Sequence, residues 1–134
     1  MSPVPVTLTA TAAAIFLNIW LGWRVSEFRR KFKVSVGDGG HEPLLRRMRA
    51  QANFIENAPF FLILVAGLEL SGANRLALAI ISALFILARI AHGFGMDGGQ
   101  LQRWRRNGIM ASTFTTVALA LWALWAAYQF CLGR

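Results

Sequence analysis

The chain has 134 residues, enough for one domain, and its 56% apolar content exceeds the roughly 45–50% of a soluble globular protein. Its formal net charge of +8 comes chiefly from short basic clusters between apolar blocks, with no aromatic-basic module or nucleic-acid reader motif beside them, so the basicity reports topology and no nucleic-acid partner is expected. The single cysteine, Cys131, excludes an intrachain disulfide and any cysteine metal site, and reads as a small apolar residue of the last helix.

Met1 to Trp23 carries no charged residue and predicts a first membrane span over about 4–27, with Pro3 and Pro5 in its first turn, where a missing N–H costs little. A cleaved signal peptide would place its positive charges before the apolar run, whereas here they follow it, so this helix is expected to be retained. The basic cluster Arg29-Arg30-Lys31-Phe32-Lys33 closes it. Val34 to Gly40 has the glycines and aspartate of a turn, without the strand or Gly-Lys-Ser/Thr of a phosphate cradle.

A second span is predicted over 44–70, with Pro59 three residues after Glu56, where it removes a hydrogen bond to the Ile55 carbonyl and favours a bend. Ser71 to Asn74 is a short turn, which makes spans 2 and 3 antiparallel neighbours. Span 3, over 75–96, carries Arg89, His92 and Met96 on one stripe, and Gly93, Gly95, Gly98 and Gly99 are expected to loosen its end. Arg103-Trp-Arg-Arg-Asn-Gly108 leads into span 4, over 106–131. A soluble bundle would need a polar outer face on each helix, and Ala118 to Ala127 offers none. The fold class is therefore an all-α integral membrane four-helix bundle, up-down-up-down, and the positive-inside rule puts the basic connections 1 and 3 in the cytoplasm and both termini across the membrane.

Within this apolar frame, Arg46, Arg49, Asn53 and Glu56 are spaced three, four and three residues apart and fall within an arc of about 80° on one helix face. A carboxylate inside a membrane helix costs roughly 2.5–3.5 kcal/mol on insertion scales, so this stripe must face protein, water or a polar ligand. One reading is a structural ion pair of Glu56 with Arg89. The other starts from a surplus: one carboxylate does not neutralise Arg29, Arg30, Arg46, Arg49, Arg89, Arg103, Arg105 and Arg106, so an anionic partner is expected. Anionic lipid head groups fit that description, and so does a small ligand whose carboxylates meet arginines and whose ammonium meets Glu56.

The run Arg49-Ala-Gln51-Ala-Asn53-Phe-Ile-Glu56-Asn-Ala-Pro59 resembles the signature of the MAPEG family, the membrane-associated proteins of eicosanoid and glutathione metabolism. The resemblance extends to Arg29 to Val34, Ala88 to His92 and Arg103 to Gly108, and the Gly-Asp-Gly-Gly loop with that last motif is most similar to the small bacterial inner-membrane branch. It implies a homotrimer with span 2 lining the centre and glutathione bound as co-substrate between adjacent subunits. By the same resemblance Glu56 faces the γ-glutamyl ammonium, Arg49 and Asn53 hold its carboxylate end, and Gln51 and Arg29 serve the glycyl end. Arg89 and His92 belong to the same site, His92 standing where members contact the peptide. A loop arginine, Arg105 first and Arg103 second, favours the thiolate.

The implied chemistry is addition of the glutathione thiolate to a lipophilic electrophile entering from the bilayer, or its attack on a lipid hydroperoxide, since a nearby guanidinium lowers a thiol pKa and raises the fraction of nucleophile. Met96 stands where the eicosanoid-forming branches carry a tyrosine, and the one tyrosine, Tyr128, lies at the far end of span 4, which argues against eicosanoid synthesis. The alternative is a non-catalytic membrane binding module that keeps the anion pocket. A transporter is the weakest reading, because inverted repeats and broken helix pairs are missing.

Overall fold

The computed structural model describes residues 3–133, and each apolar block in it becomes one helix: α1 (Pro5–Phe32), α2 (Glu42–Leu70), α3 (Arg75–Gly95) and α4 (Gln102–Cys131), the last entered through a 3₁₀ turn at Gly99–Leu101. All four are long and apolar enough to cross a membrane, and the described residues contain no strand. The molecule is an all-helical integral membrane protein.

Two boundaries differ from the sequence expectation by more than two residues. The first helix runs past Glu27 to Phe32 because Arg29, Arg30 and Lys31 sit in its last turn, where cations favour the negative end of the helix dipole. It ends at Lys33, in the left-handed region at φ 57°. The fourth begins at Gln102, four residues before the expected start, so Arg103, Arg105 and Arg106 are helical. Pro59 lies inside an unbroken α2.

Apolar side chains gain little from leaving lipid for a protein interior, so close packing decides the assembly of such helices. Phe61 of α2 stacks on Phe85 of α3 at 3.9 Å between ring centroids, with Leu17, Phe54, Val65, Leu78 and Leu119 buried around the pair. The expectation that glycines loosen the end of α3 is corrected in part. Gly93 and Gly95 are buried, and a Cβ on Gly95 would lie 2.0 Å from the Arg105 backbone nitrogen. Likewise a Cβ on Gly108 would lie 2.5 Å from the Ala88 carbonyl oxygen. Gly95 and Gly108 let α3 and α4 touch backbone to backbone and Gly93 makes room for Trp20 and Leu21 of α1, whereas Gly98 and Gly99, at φ 85° and 62°, form the turn that follows.

Polar contacts mark the two ends of the bundle. At one end, Glu69 of α2 accepts from Val6 N, Thr7 N and Thr7 Oγ1 at 3.0, 2.7 and 2.7 Å, which caps an α1 whose own N-cap residue, Val4, has no side chain to do so. Arg75 of α3 approaches the same carboxylate at 3.8 Å. At the other end, Asp97 just after α3 receives Arg24 of α1 and, at 3.0 Å, Nε of Arg47 of α2. Arg47 also donates to Glu27 at 2.7 Å, and Arg24 donates to the Gly93 carbonyl at 2.8 Å with its guanidinium 4.6 Å from the Trp20 ring centroid. This second knot joins α1, α2 and the end of α3 beside the arginine-rich start of α4.

Candidate functional site

A cleft of about 350 Å³ opens at that knotted end between α2, α3 and α4, lined by Arg49, Ala52, Asn53, Glu56, His92, Met96, Arg105 and Ile109. The helical spacing of α2 delivers Arg49, Asn53 and Glu56 to one wall, because positions three and four apart share a face. His92 and Met96 come from the end of α3, and Arg105 from the first turns of α4. The close backbone approach at Gly95 and Gly108 sets the opposite wall: His92 Nδ1 lies 3.3 Å from the Arg105 carbonyl oxygen, which ties the ring to α4. Next to this cleft, Arg49, Met96 and Arg105 also line an outer hollow of about 190 Å³ that includes Arg46 and Glu42.

Glu56 is exposed and has no ion-pair partner among the described residues. The ion pair of Glu56 with Arg89 considered from the sequence does not form. Arg89 is buried at 3% exposure and donates instead to the Asn53 carbonyl oxygen at 2.5 Å and to Ser112 Oγ at 3.3 Å. No carboxylate within the described residues neutralises it, and its Nε, Asn53 Oδ1 and His92 Nε2 are buried without hydrogen-bond partners. The cleft therefore combines a free carboxylate, two exposed guanidinium groups at Arg49 and Arg105, and a buried cation directly behind one wall.

The remaining residues singled out by sequence lie elsewhere on the chain. Gln51 turns toward α1, donating to Asn18 Oδ1 at 3.3 Å, in the space that a side chain at position 22 would take. Arg29 borders a separate hollow with Arg30 and Lys33, donates to the Ser35 carbonyl at 3.1 Å and lies 3.7 Å from Met48 Sδ. Arg103 lines a broad concavity at the head of α4 that shares Arg105 and Ile109 with the Glu56 cleft, but Arg103 itself does not line the cleft. Arg46, although on the polar ladder, is engaged by Glu42 through Nε at 3.0 Å and Nη2 at 2.6 Å.

Sequence reasoning missed the knot around Asp97. Arg24 follows the first apolar block as an ordinary flanking cation would, yet it is 4% exposed. A lone acidic residue between an apolar span and a basic loop was the available signal. Glu69 was also missed, and there the signal is an α1 that starts without a Ser, Thr, Asp or Asn cap.

A four-helix membrane protein with an arginine, asparagine and glutamate ladder opening on a cleft beside a second arginine-bearing helix defines a recognisable class. Residues 7–125 match the MAPEG family, and the chain belongs to it. It is similar to the inner membrane protein YecN of Escherichia coli K12, with 29% identity over 118 residues, 88% of each chain. The same protein from Escherichia coli O6:H1 matches to the same extent.

Proposed function

We propose that this protein binds glutathione in the Glu56 cleft and uses it as a membrane transferase or peroxidase on lipophilic electrophiles or lipid hydroperoxides. The observation that carries the reading is the freedom of Glu56: a carboxylate embedded in a membrane helix, left unpaired although Arg89 is available on the neighbouring helix, and facing a cleft that Arg49 and Arg105 also line. That set is complementary to the ammonium, one carboxylate and the thiol of glutathione. Glu56 takes the ammonium, Arg49 with Asn53 the neighbouring carboxylate, and Arg105 the sulfur, as a cation that favours thiolate over thiol. In conjugation the thiol proton goes to solvent, sulfur bonds to the electrophilic carbon, and the leaving group departs with the bonding electrons. In the peroxidase reaction sulfur attacks the distal peroxide oxygen and becomes a sulfenic acid as the O–O bond breaks and the alkoxide leaves, taking a proton from solvent to become the alcohol; a second glutathione thiol then displaces that oxygen as water and closes the disulfide.

Glu56 and Asn57 are exposed on the isolated chain within a membrane span, which lipid does not tolerate, so a second subunit or water covers them. This supports an up-down-up-down bundle assembled as a homotrimer around α2, with Gln51 and Arg29, which lie outside the cleft, serving the ligand from their own α1–α2 side of a neighbouring subunit. The basic end then faces the cytoplasm and the protein resides in an inner membrane, as the name of its Escherichia coli relative describes that protein. Met96 in the cleft wall keeps a second reading in view, a binding module without turnover, because no tyrosine hydroxyl supplements Arg105 there. The test is addition of glutathione to detergent-purified protein. A new thiolate absorbance with conjugation of a chlorinated nitrobenzene supports the enzyme, binding with neither supports the module, and no binding removes both.

A further inference from the structure

We propose that the concavity at the head of α4 holds the head group of an anionic glycerophospholipid whose acyl chains run down the exposed face of that helix. The concavity has a volume of about 1110 Å³, and Arg103, Arg105, Arg106, Gln100 and Gln102 line it together with Gly99 and Ile109. No carboxylate lines it, and neither Arg103 nor Arg106 has an ion-pair partner among the described residues. Two guanidinium groups one helical turn apart match a phosphodiester, which arginine binds bidentately.

The helix below them identifies the source of that phosphate. Arg103, Arg106, Met110, Phe114, Val117 and Leu121 fall within an arc of about 80° on α4. The four apolar members are 62%, 75%, 51% and 62% exposed, and the stripe between Arg106 and Leu121 contains no polar side chain. From Arg106 to Val117 the helix rises about 16 Å, the depth of one leaflet of a hydrocarbon core about 30 Å thick. Half-exposed Trp104 sits at the level of the arginines, where interfacial aromatics anchor. Charge at the top and hydrocarbon beneath is the profile of a phospholipid and not of a soluble anion. The polar groups that demand protein cover, Glu56 and Asn57, lie on α2 and leave this face of α4 to lipid.

The lining also selects the head group. An ethanolammonium would meet three arginines and no carboxylate, whereas glycerol hydroxyls would meet the amides of Gln100 and Gln102. Phosphatidylglycerol is therefore preferred over phosphatidylethanolamine. Arg105 and Ile109 border both this concavity and the Glu56 cleft, but the proposal is carried by Arg103 and Arg106, which line only the concavity, so substituting them leaves the glutathione reading to be tested separately.

The test measures lipid retention by the purified full chain, by native mass spectrometry and in nanodiscs of defined composition. Phosphatidylglycerol should be retained well over phosphatidylethanolamine. R103Q/R106Q should lower its affinity about thirtyfold, while R103K/R106K, which keeps the charge and loses the fork, should fall between. A phosphatidylglycerol carrying a photoreactive chain should label Met110, Phe114 or Val117 of the unmodified protein, a readout that survives any folding defect of the variants. Equal retention by the glutamine variant, full competition by water-soluble glycerophosphate, labelling confined to other helices, or quantitative subunit crosslinking through F114C would each overturn the proposal.

Discussion

Past its first turn, helix α2 carries two carboxylates with opposite fates. Glu69 is 3% exposed and fully engaged by the first turn of α1, whereas the side chain of Glu56, lower on the same helix, is exposed and without a partner among the described residues. A charge buried in protein, as Glu69 is, or set within an apolar span, as Glu56 is, needs compensation. Where the chain supplies it, the carboxylate is architecture. Where the chain withholds it, compensation has to come from water, another subunit or a ligand, and on the proposed reading that contrast separates the site from the scaffold.

The contrast is sharpened most by removing the engaged carboxylate. Glu69→Ala strips three charge-assisted hydrogen bonds from partly buried donors and opens a cavity, and should cost about 4 kcal/mol of stability, read as a lower unfolding temperature in detergent. Glutathione affinity per folded molecule should stay unchanged. Asp97→Asn comes next. It leaves Arg24 buried beside a neutral amide and should cost about 3 kcal/mol by the same measurement. If either variant were as stable as the parent, the two ends would not be the fastenings that the hydrogen bonds describe.

The unengaged carboxylate should behave the opposite way. Glu56→Gln should leave the unfolding temperature of the isolated subunit within a degree or two, while calorimetric affinity for glutathione falls by about 2 kcal/mol, a loss typical of one hydrogen bond to a charged group. A large stability loss with unchanged binding would reassign Glu56 to the scaffold.

Much of the scaffold was legible in the sequence because apolar blocks separated by basic clusters leave few alternatives to four helices. The ladder was legible for a local reason: helical spacing fixes the direction of Arg49, Asn53 and Glu56 about their own axis. The same geometry puts Gln51 about 200° around from Arg49, so its turn toward Asn18 was available from spacing, although the family resemblance gathered it into the site. Spacing carries no information about which neighbour a face meets. The partners of Glu69 lie 62 and 63 residues away, and those of Asp97 lie on two other helices. The choice of Arg89 for Asn53 and Ser112 over Glu56 is likewise decided by packing between helices.

The smallest expected effect is also the strictest check on where the site ends. Arg46 shares the ladder with Glu56 but is engaged by Glu42 one turn away, with side-chain exposures of 44% and 71%. An exposed pair at this spacing contributes about 0.3–0.5 kcal/mol, so Arg46→Gln should shift stability by no more than that. Because Arg46 lines the outer hollow and not the Glu56 cleft, glutathione affinity should change less than about twofold, a few tenths of a kcal/mol. A tenfold loss would mean that the ligand extends into the outer hollow and breaks the Arg46–Glu42 pair on binding. In that case position along the ladder, rather than engagement within the chain, would decide which of its charges serve the ligand.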